Sequence, residues 1–151
     1  WGDPEVTKWI DVRGCLSPDD VNERLEREID SQRRHEVQYW PIFLLENDDH
    51  VGCCGLQPYD LPTRVYELGA HIRPAYWRRG LAKEAAGVIE YAFNTLGASG
   101  LFAGHNPNNM ASRGLLTALG FRYTHDELYP PTGLLHPSYF LARPLVRRRH
   151  P

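Results

Sequence analysis

The stretch Arg73-Pro74-Ala75-Tyr76-Trp77-Arg78-Arg79-Gly80-Leu81-Ala82-Lys83-Glu84-Ala85 opens a helix in an uncommon way. Beyond Gly80, the residues Leu81, Ala85, Val88, Ile89, Ala92 and Leu96 recur on one helical face, and Gly97 supplies a C-terminal stop. Most helices begin on Ser, Thr, Asp or Asn, whose side chain satisfies one of the four free amides of the first turn. Here two arginines and a glycine stand in that place. The start offers free main-chain N–H groups, positive charge and small residues at Gly80 and Ala82, a combination suited to phosphate. On this segment alone, a water-capped helix end with surface arginines explains the residues equally well.

Upstream, Ser17 followed by Pro18 and Asp20 makes a capped helix start, and Val21, Leu25 and Ile29 mark one face of a helix over about 18–35. Residues 38–46 and 51–56 are apolar, β-prone runs separated by Asn47, Asp48, Asp49 and His50, which predicts a hairpin. A third strand over about 64–72 follows the Leu61, Pro62, Thr63 break and closes before Pro74. Downstream, residues 101–103 read as a short strand, Asn109 caps a second helix ending at Gly120, and 121–124 and 139–142 read as strands. The class is α+β: an antiparallel meander, then β-α-β-α-β-β, with helices flanking one mixed sheet.

The bulk of the sequence narrows the function. At 151 residues and 42% hydrophobic content the chain suits one globular domain. No run approaches the ~18 consecutive apolar residues of a membrane helix, and no signal-like segment opens the chain, so a cytoplasmic protein without a membrane partner is expected. Cys15, Cys53 and Cys54 give an odd count, and the adjacent pair would face opposite sides of a strand, so neither a disulfide framework nor zinc is indicated. The seven histidines lack paired ligand spacing, and no metal is expected. Residues 1–75 hold 15 acids and 8 bases (−7), whereas 76–151 hold 4 acids and 9 bases (+5). The second half therefore suits an anionic ligand, although Arg147, Arg148 and Arg149 read as a solvated tail. No basic stripe interleaved with aromatics points to nucleic acid.

The Arg73–Ala85 stretch resembles the pyrophosphate-binding loop and helix of GNAT acetyltransferases, in the branch containing the ribosomal-protein N-terminal (Rim-type) enzymes. In that branch a Trp takes the first place of the Gln/Arg-x-x-Gly-x-Gly/Ala signature, as Trp77 does here. A second block, Asn109, Met110, Ala111 and Ser112 with Leu115, Leu116, Leu119, Gly120 and Phe121, is similar to the branch's Asn-x-x-Ser helix and terminal Gly-Phe. Both blocks stand in family order and spacing, and weaker similarity runs from Asp3 to Leu141.

The resemblance implies a GNAT fold and acetyl-CoA as donor. Trp77, Arg78, Arg79, Gly80, Leu81, Ala82 and Lys83 would surround the pyrophosphate, chiefly through main-chain amides. Ala70, His71 and Ile72 would offer main-chain bonds to the pantetheine arm as an added strand does; for the His71 side chain an ordinary strand role is favoured. Asn109 would cap its helix and touch the coenzyme, and Ser112 would lie near the thioester sulfur. Many members place a tyrosine acid where this chain has Leu116, which leaves Ser112, alone or through water, as the group serving the leaving thiolate. Glu67 is the candidate base for the amine, with a carboxylate paired across the sheet as the equal alternative; His136 and Tyr139 rank lower.

The acceptor is expected to be a small-molecule or peptide primary amine, met partly by the first helix and partly by an apolar loop over 129–136. Acidic residues between Asp19 and Glu36 could draw a cation, but a solvated helix face explains them better. A homodimer also fits the resemblance. The chain begins inside the family's N-terminal region, so the expected single domain over 1–151 lacks that region's strand and helix. The competing reading is a non-catalytic acyl-CoA-binding module. A dinucleotide oxidoreductase fits poorly because Gly80 follows two arginines after an antiparallel meander, and a serine hydrolase fits worse because Ser112 lacks a Gly-x-Ser-x-Gly setting.

Overall fold

The computed structural model describes residues 1–144, and at Leu81 and Ala82 it describes the main chain alone. The basic tail Arg147, Arg148 and Arg149 lies outside the described residues. A short helix α1, Pro4–Thr7, starts where the Asp3 carboxylate accepts the Glu5 N–H. Helix α2, Pro18–His35, starts with a reciprocal pair: Asp20 N–H donates to the Ser17 hydroxyl oxygen and Ser17 N–H to the Asp20 carboxylate.

The strands β1 (Tyr39–Phe43), β2 (His50–Asp60) and β3 (Val65–Ile72) form the antiparallel meander. A 3₁₀ turn at Pro74–Tyr76 leads to α3, Leu81–Asn94. Then follow β4 (Gly100–Gly104), α4 (Met110–Ala118), β5 (Arg122–Tyr129) and β6 (Leu134–Ala142). One six-stranded sheet results, ordered β1-β2-β3-β4-β6-β5, in which β3 and β4 alone run parallel. The mixed α+β architecture is as the sequence pattern predicts.

The core lies on the α3 side of the sheet. Strand alternation turns Cys54, Leu56, Leu68, Leu101 and Ala103 that way, against Ala85, Ala92 and Phe93 of α3. Leu56 and Leu101 are wholly buried, and burial of such a side chain contributes about 1.5–3 kcal/mol. Of the periodic face foreseen for the α3 helix, Ala85, Val88, Ile89, Ala92 and Leu96 pack in or against this core. Cys53 and Cys54 are both buried and free, and burial pushes their thiols up to about 11 and about 12.

Four expectations are corrected. Leu25 and Ile29 of α2 are 46% and 49% exposed, while Glu28 is the residue that α2 buries. The helix turns its polar side inward because Glu28 accepts both the Tyr39 N–H and the Gln57 side-chain amide, each at 2.8 Å. Strand β1 is shorter than the 38–46 run, ending before a turn in which Leu45 is fully exposed. The last two strands are much longer than 121–124 and 139–142. The expected loop over 129–136 is mostly hairpin, turning at Pro130 to Gly133, with Gly133 at a φ of 68°.

The feature that positions the site is a parting of strands. β3 pairs with β4 only from Val65 to Glu67, although β3 runs on to Ile72 and β4 to Gly104. No described helix is long and apolar enough to cross a membrane.

Candidate active site

A cavity of about 1460 Å³ fills the gap between β3 and β4 and continues under α2. Trp77, Arg78 and Gly80 line one end; Glu67, Glu127 and Tyr129 line the other; Ser112 lies on the wall supplied by α4.

At the first end the chain is bent by two left-handed residues, Arg78 at a φ of 62° and Gly80 at 92°. Gly80 is the N-cap of α3 and no side chain caps this helix, as its sequence predicts. The supply of free amides is narrower than expected: Trp77 N–H donates to the Pro74 carbonyl and Lys83 N–H to the Gly80 carbonyl. Between them, Arg78, Arg79 and Gly80 donate to no acceptor among the described residues, and helix geometry leaves the N–H groups of Leu81 and Ala82 without an intrahelical partner. Arg78 lines the cavity, whereas Arg79 turns to Glu46 at 3.8 Å and sits 5.7 Å from the Tyr76 ring. The arginines are thus not equivalent.

Strand alternation decides what β3 offers. Arg73 N–H donates to the Val51 carbonyl, which fixes His71, Gly69 and Glu67 as the residues whose main chain bonds β2. Leu68, Ala70 and Ile72 turn theirs toward the gap. Of the expected trio, His71 is corrected: its main chain is taken up by β2. Its side chain packs edge-on against Tyr39 and accepts the Trp1 indole N–H at 2.8 Å, and burial pulls its pKa down to about 3. The Ile72 carbonyl accepts the Trp77 indole N–H at 2.9 Å, which leaves its N–H and both groups of Ala70 facing the gap.

On α4, the Asn109 side chain accepts the Ser112 N–H at 3.4 Å, a helix cap. The Ser112 hydroxyl has no hydrogen-bond partner among the described residues and lines the cavity. Leu116, where a tyrosine would stand in many similar proteins, is buried in the core.

Glu67 lies on the sheet face opposite the core, half-buried. Gln57 is its cross-strand neighbour, but the Gln57 amide goes to Glu28, so Glu67 is not held as a paired structural carboxylate. Burial, reinforced by the nearby Glu127 charge and opposed by Arg24, pushes its pKa up to about 7. Glu127, Arg24 and the stacked Tyr59–Phe102 pair, with centroids 4.1 Å apart, are site residues that sequence reasoning missed. Glu127 fell beyond the expected strand end; Arg24 was hidden by the reversed facing of α2. Of the expected acceptor loop, Tyr129, Pro130 and His136 line the cavity, while Leu135 is exposed. His136 bonds Thr132 at 2.8 Å, and burial, with His105 nearby, lowers its pKa. Tyr139 bonds His105 at 3.3 Å and is buried. Among the described residues no group of three His, Cys, Asp or Glu side chains is arranged to hold a metal.

An uncapped amide turn opening onto a gap between parallel strands suits the diphosphate and extended arm of a coenzyme A thioester. Comparison with known proteins agrees. A family model described as "Acetyltransferase (GNAT) domain" matches residues 1–122. The chain is 28% identical over 123 residues to the "Uncharacterized N-acetyltransferase p20" of Bacillus licheniformis, a match covering 81% of this chain and 69% of that protein. Among solved structures, spermidine N-acetyltransferase from Vibrio cholerae in complex with CoA and spermine aligns with a TM-score of 0.74 at 13% identity, covering 93% of this chain and 84% of that one. A putative ribosomal-protein-serine acetyltransferase from Vibrio cholerae aligns with a TM-score of 0.72 at 19% identity, covering 89% and 77%. The overall fold is shared with these structures, and the chain belongs to the GNAT family of acetyltransferases, enzymes that take the acetyl group from acetyl-CoA.

Proposed function

We propose that this chain acetylates a primary amine, a small molecule or a peptide N-terminus, by direct attack in a ternary complex. One observation carries the reading: a single cavity joins the uncapped amides before α3 to the unpartnered carboxylate of Glu67. The N–H groups of residues 78–82 and the Arg78 guanidinium hold the diphosphate, while Ala70 and the Ile72 N–H hold the pantetheine arm. Asn109 fixes the first turn of α4 and so the place of Ser112.

A neutral amine nitrogen attacks the thioester carbonyl carbon, and the carbon–sulfur bond breaks. Glu67, at about 7, takes the amine proton directly or through water. The Ser112 hydroxyl, alone or through water, donates a hydrogen bond to the departing thiolate, and the proton that Glu67 took from nitrogen reaches sulfur through water, so carboxylate and hydroxyl both return to their starting states. The residues 1–151 act as one domain in this reading. Its finer parts, the Rim-type branch and a homodimer, rest on the sequence resemblance.

The test mixes the protein with acetyl-CoA and a panel of amines and N-terminal peptides and follows free thiol. Thiol release that depends on an amine supports the reading; saturable coenzyme binding without thiol release from any acceptor sinks it. The second reading, a non-catalytic acyl-CoA-binding module, is favoured by one observation: buried Leu116 removes the tyrosine acid.

A further inference from the structure

Arg24 projects from α2 into the acceptor end of the cavity. Its guanidinium lies 4.6 Å from the Trp1 ring and 5.9 Å from the Tyr39 ring. Its Nε is buried with no hydrogen-bond partner, and among the described residues no carboxylate stands within ion-pair reach of 4.0 Å. Glu28, one turn along the helix, accepts from the Tyr39 N–H at one oxygen and the Gln57 amide at the other, and makes no ion pair with Arg24 within 4.0 Å. A buried guanidinium N–H without an acceptor is destabilising, and buried polar groups rarely go unpaired. The two rings beside Arg24 give its guanidinium apolar neighbours and no counter-charge.

Glu67 and Glu127 line the same end of the cavity, with the Tyr59–Phe102 stack and Tyr129 beside them. Arg27 and Arg34 of α2 also line the cavity, Arg34 paired with Asp30 at 2.9 Å. A cavity that carries the unpaired Arg24 guanidinium together with the carboxylates of Glu67 and Glu127 is complementary to a molecule bearing both an anionic and a cationic group.

We propose that the acceptor is a primary amine that also bears a carboxylate, the carboxylate bound by Arg24 and the amine received at Glu67 and Glu127, with an aromatic or apolar side chain against Tyr59 and Phe102. The proposal rests on the amine-acetylation reading above and narrows it. A carboxylate satisfies a planar guanidinium fork with two oxygens and one charge. A phosphate brings up to two charges beside two glutamates and is disfavoured. A polycation places a second ammonium against Arg24, and a peptide N-terminus offers Arg24 a neutral carbonyl in place of a charge.

Matched ligands test this without altering the protein. Calorimetry in the presence of coenzyme A compares L-phenylalanine, phenethylamine and L-phenylalaninamide. A charged hydrogen-bonded contact is worth about 1.5–3 kcal/mol, so phenylalanine is expected to bind about 10- to 100-fold more tightly than either analogue, and Arg24→Met to bring that ratio near one. Equal or better binding of the analogues, binding of none of the three, or a preference that survives in Arg24→Met overturns the proposal. Thiol release separates the two readings. Selective phenylalanine binding with no thiol released from any amine leaves the carboxylate pocket standing and removes the transferase reading. Thiol released from amines with no carboxylate preference does the reverse.

Discussion

Gln57 stands opposite Glu67 across the β2–β3 ladder but gives its side-chain amide to Glu28, at 2.8 Å. Glu67 is therefore left without a partner on its own sheet, and burial, with Glu127 nearby, holds its pKa at about 7. A base must be deprotonated to act, so amine-dependent thiol release should rise with pH through a half-maximum near 7. Glu67→Gln should lower kcat by about 10²-fold and remove that limb of the profile. An intact limb in the variant assigns it to another group.

The same shift has a stability consequence. In the unfolded chain Glu67 titrates near the ordinary carboxyl value of 4.5, and in the folded chain at about 7. Between these values the native state holds the extra proton, so Glu67's contribution to stability is complete below about 4.5 and is lost as pH rises to about 7. Glu67→Gln removes this loss. The variant should gain a few degrees of Tm at pH 8, about the effect of 1 kcal/mol in a domain of this size, and gain less at pH 4. Thermal melts at the two pH values check the sign.

At the coenzyme end the two arginines should separate in experiment. Arg78 lines the cavity, whereas Arg79 is drawn to Glu46 and Tyr76. Charge reversal at Arg78 should weaken acetyl-CoA binding by about 10-fold or more, as expected for loss of a charge-assisted contact. Reversal at Arg79 should cost less, and its effect should fade in high salt because exposed charges are screened. Calorimetry at two ionic strengths distinguishes them; equal losses would mean that Arg79 swings in to bind.

Trp77 closes the same corner by donating its indole N–H to the Ile72 carbonyl. Trp77→Phe keeps an aromatic ring and loses this one bond, worth about 0.5–1.5 kcal/mol. Acetyl-CoA affinity should fall by about 2- to 10-fold, since the turn that presents residues 78–82 loses its tie to β3. A fluorescence titration or calorimetric Kd reads the change.

Much of this arrangement is legible in the sequence because it is local. The uncapped start of α3 can be read from Arg78, Arg79 and Gly80, and its packed face from Ala85 and Ala92, since neither depends on distant residues. The meander reads from its turn residues. What cannot be read is set by long-range contact. Nothing near Glu28 announces that it will accept from Tyr39 and Gln57, and those two bonds reverse the facing of α2 and bring Arg24 inward. Likewise, whether His71 or Ala70 faces the gap depends on register with β2, which is fixed by pairing rather than by composition. The ends of β5 and β6 were missed because their pairing runs through polar residues such as His125, Asp126 and Glu127, which carry little strand signal.

Asn109 and Ser112 share one hydrogen bond, yet their variants should differ in kind. The Asn109 side chain caps α4 by accepting the Ser112 N–H. Asn109→Ala leaves that amide uncapped and should cost about 1 kcal/mol of stability, with a matching fall in Tm. Ser112→Ala leaves the same N–H bonded to Asn109 and removes only a hydroxyl that has no partner among the described residues. Stability should stay within about 0.5 kcal/mol, the usual range for such a change. If the hydroxyl serves the departing thiolate, kcat should drop by about 10-fold or more while the KM for acetyl-CoA holds, the pattern of a contact made only in the transition state. A Ser112→Ala enzyme with unchanged kcat would remove Ser112 from the chemistry and leave water to protonate the thiolate.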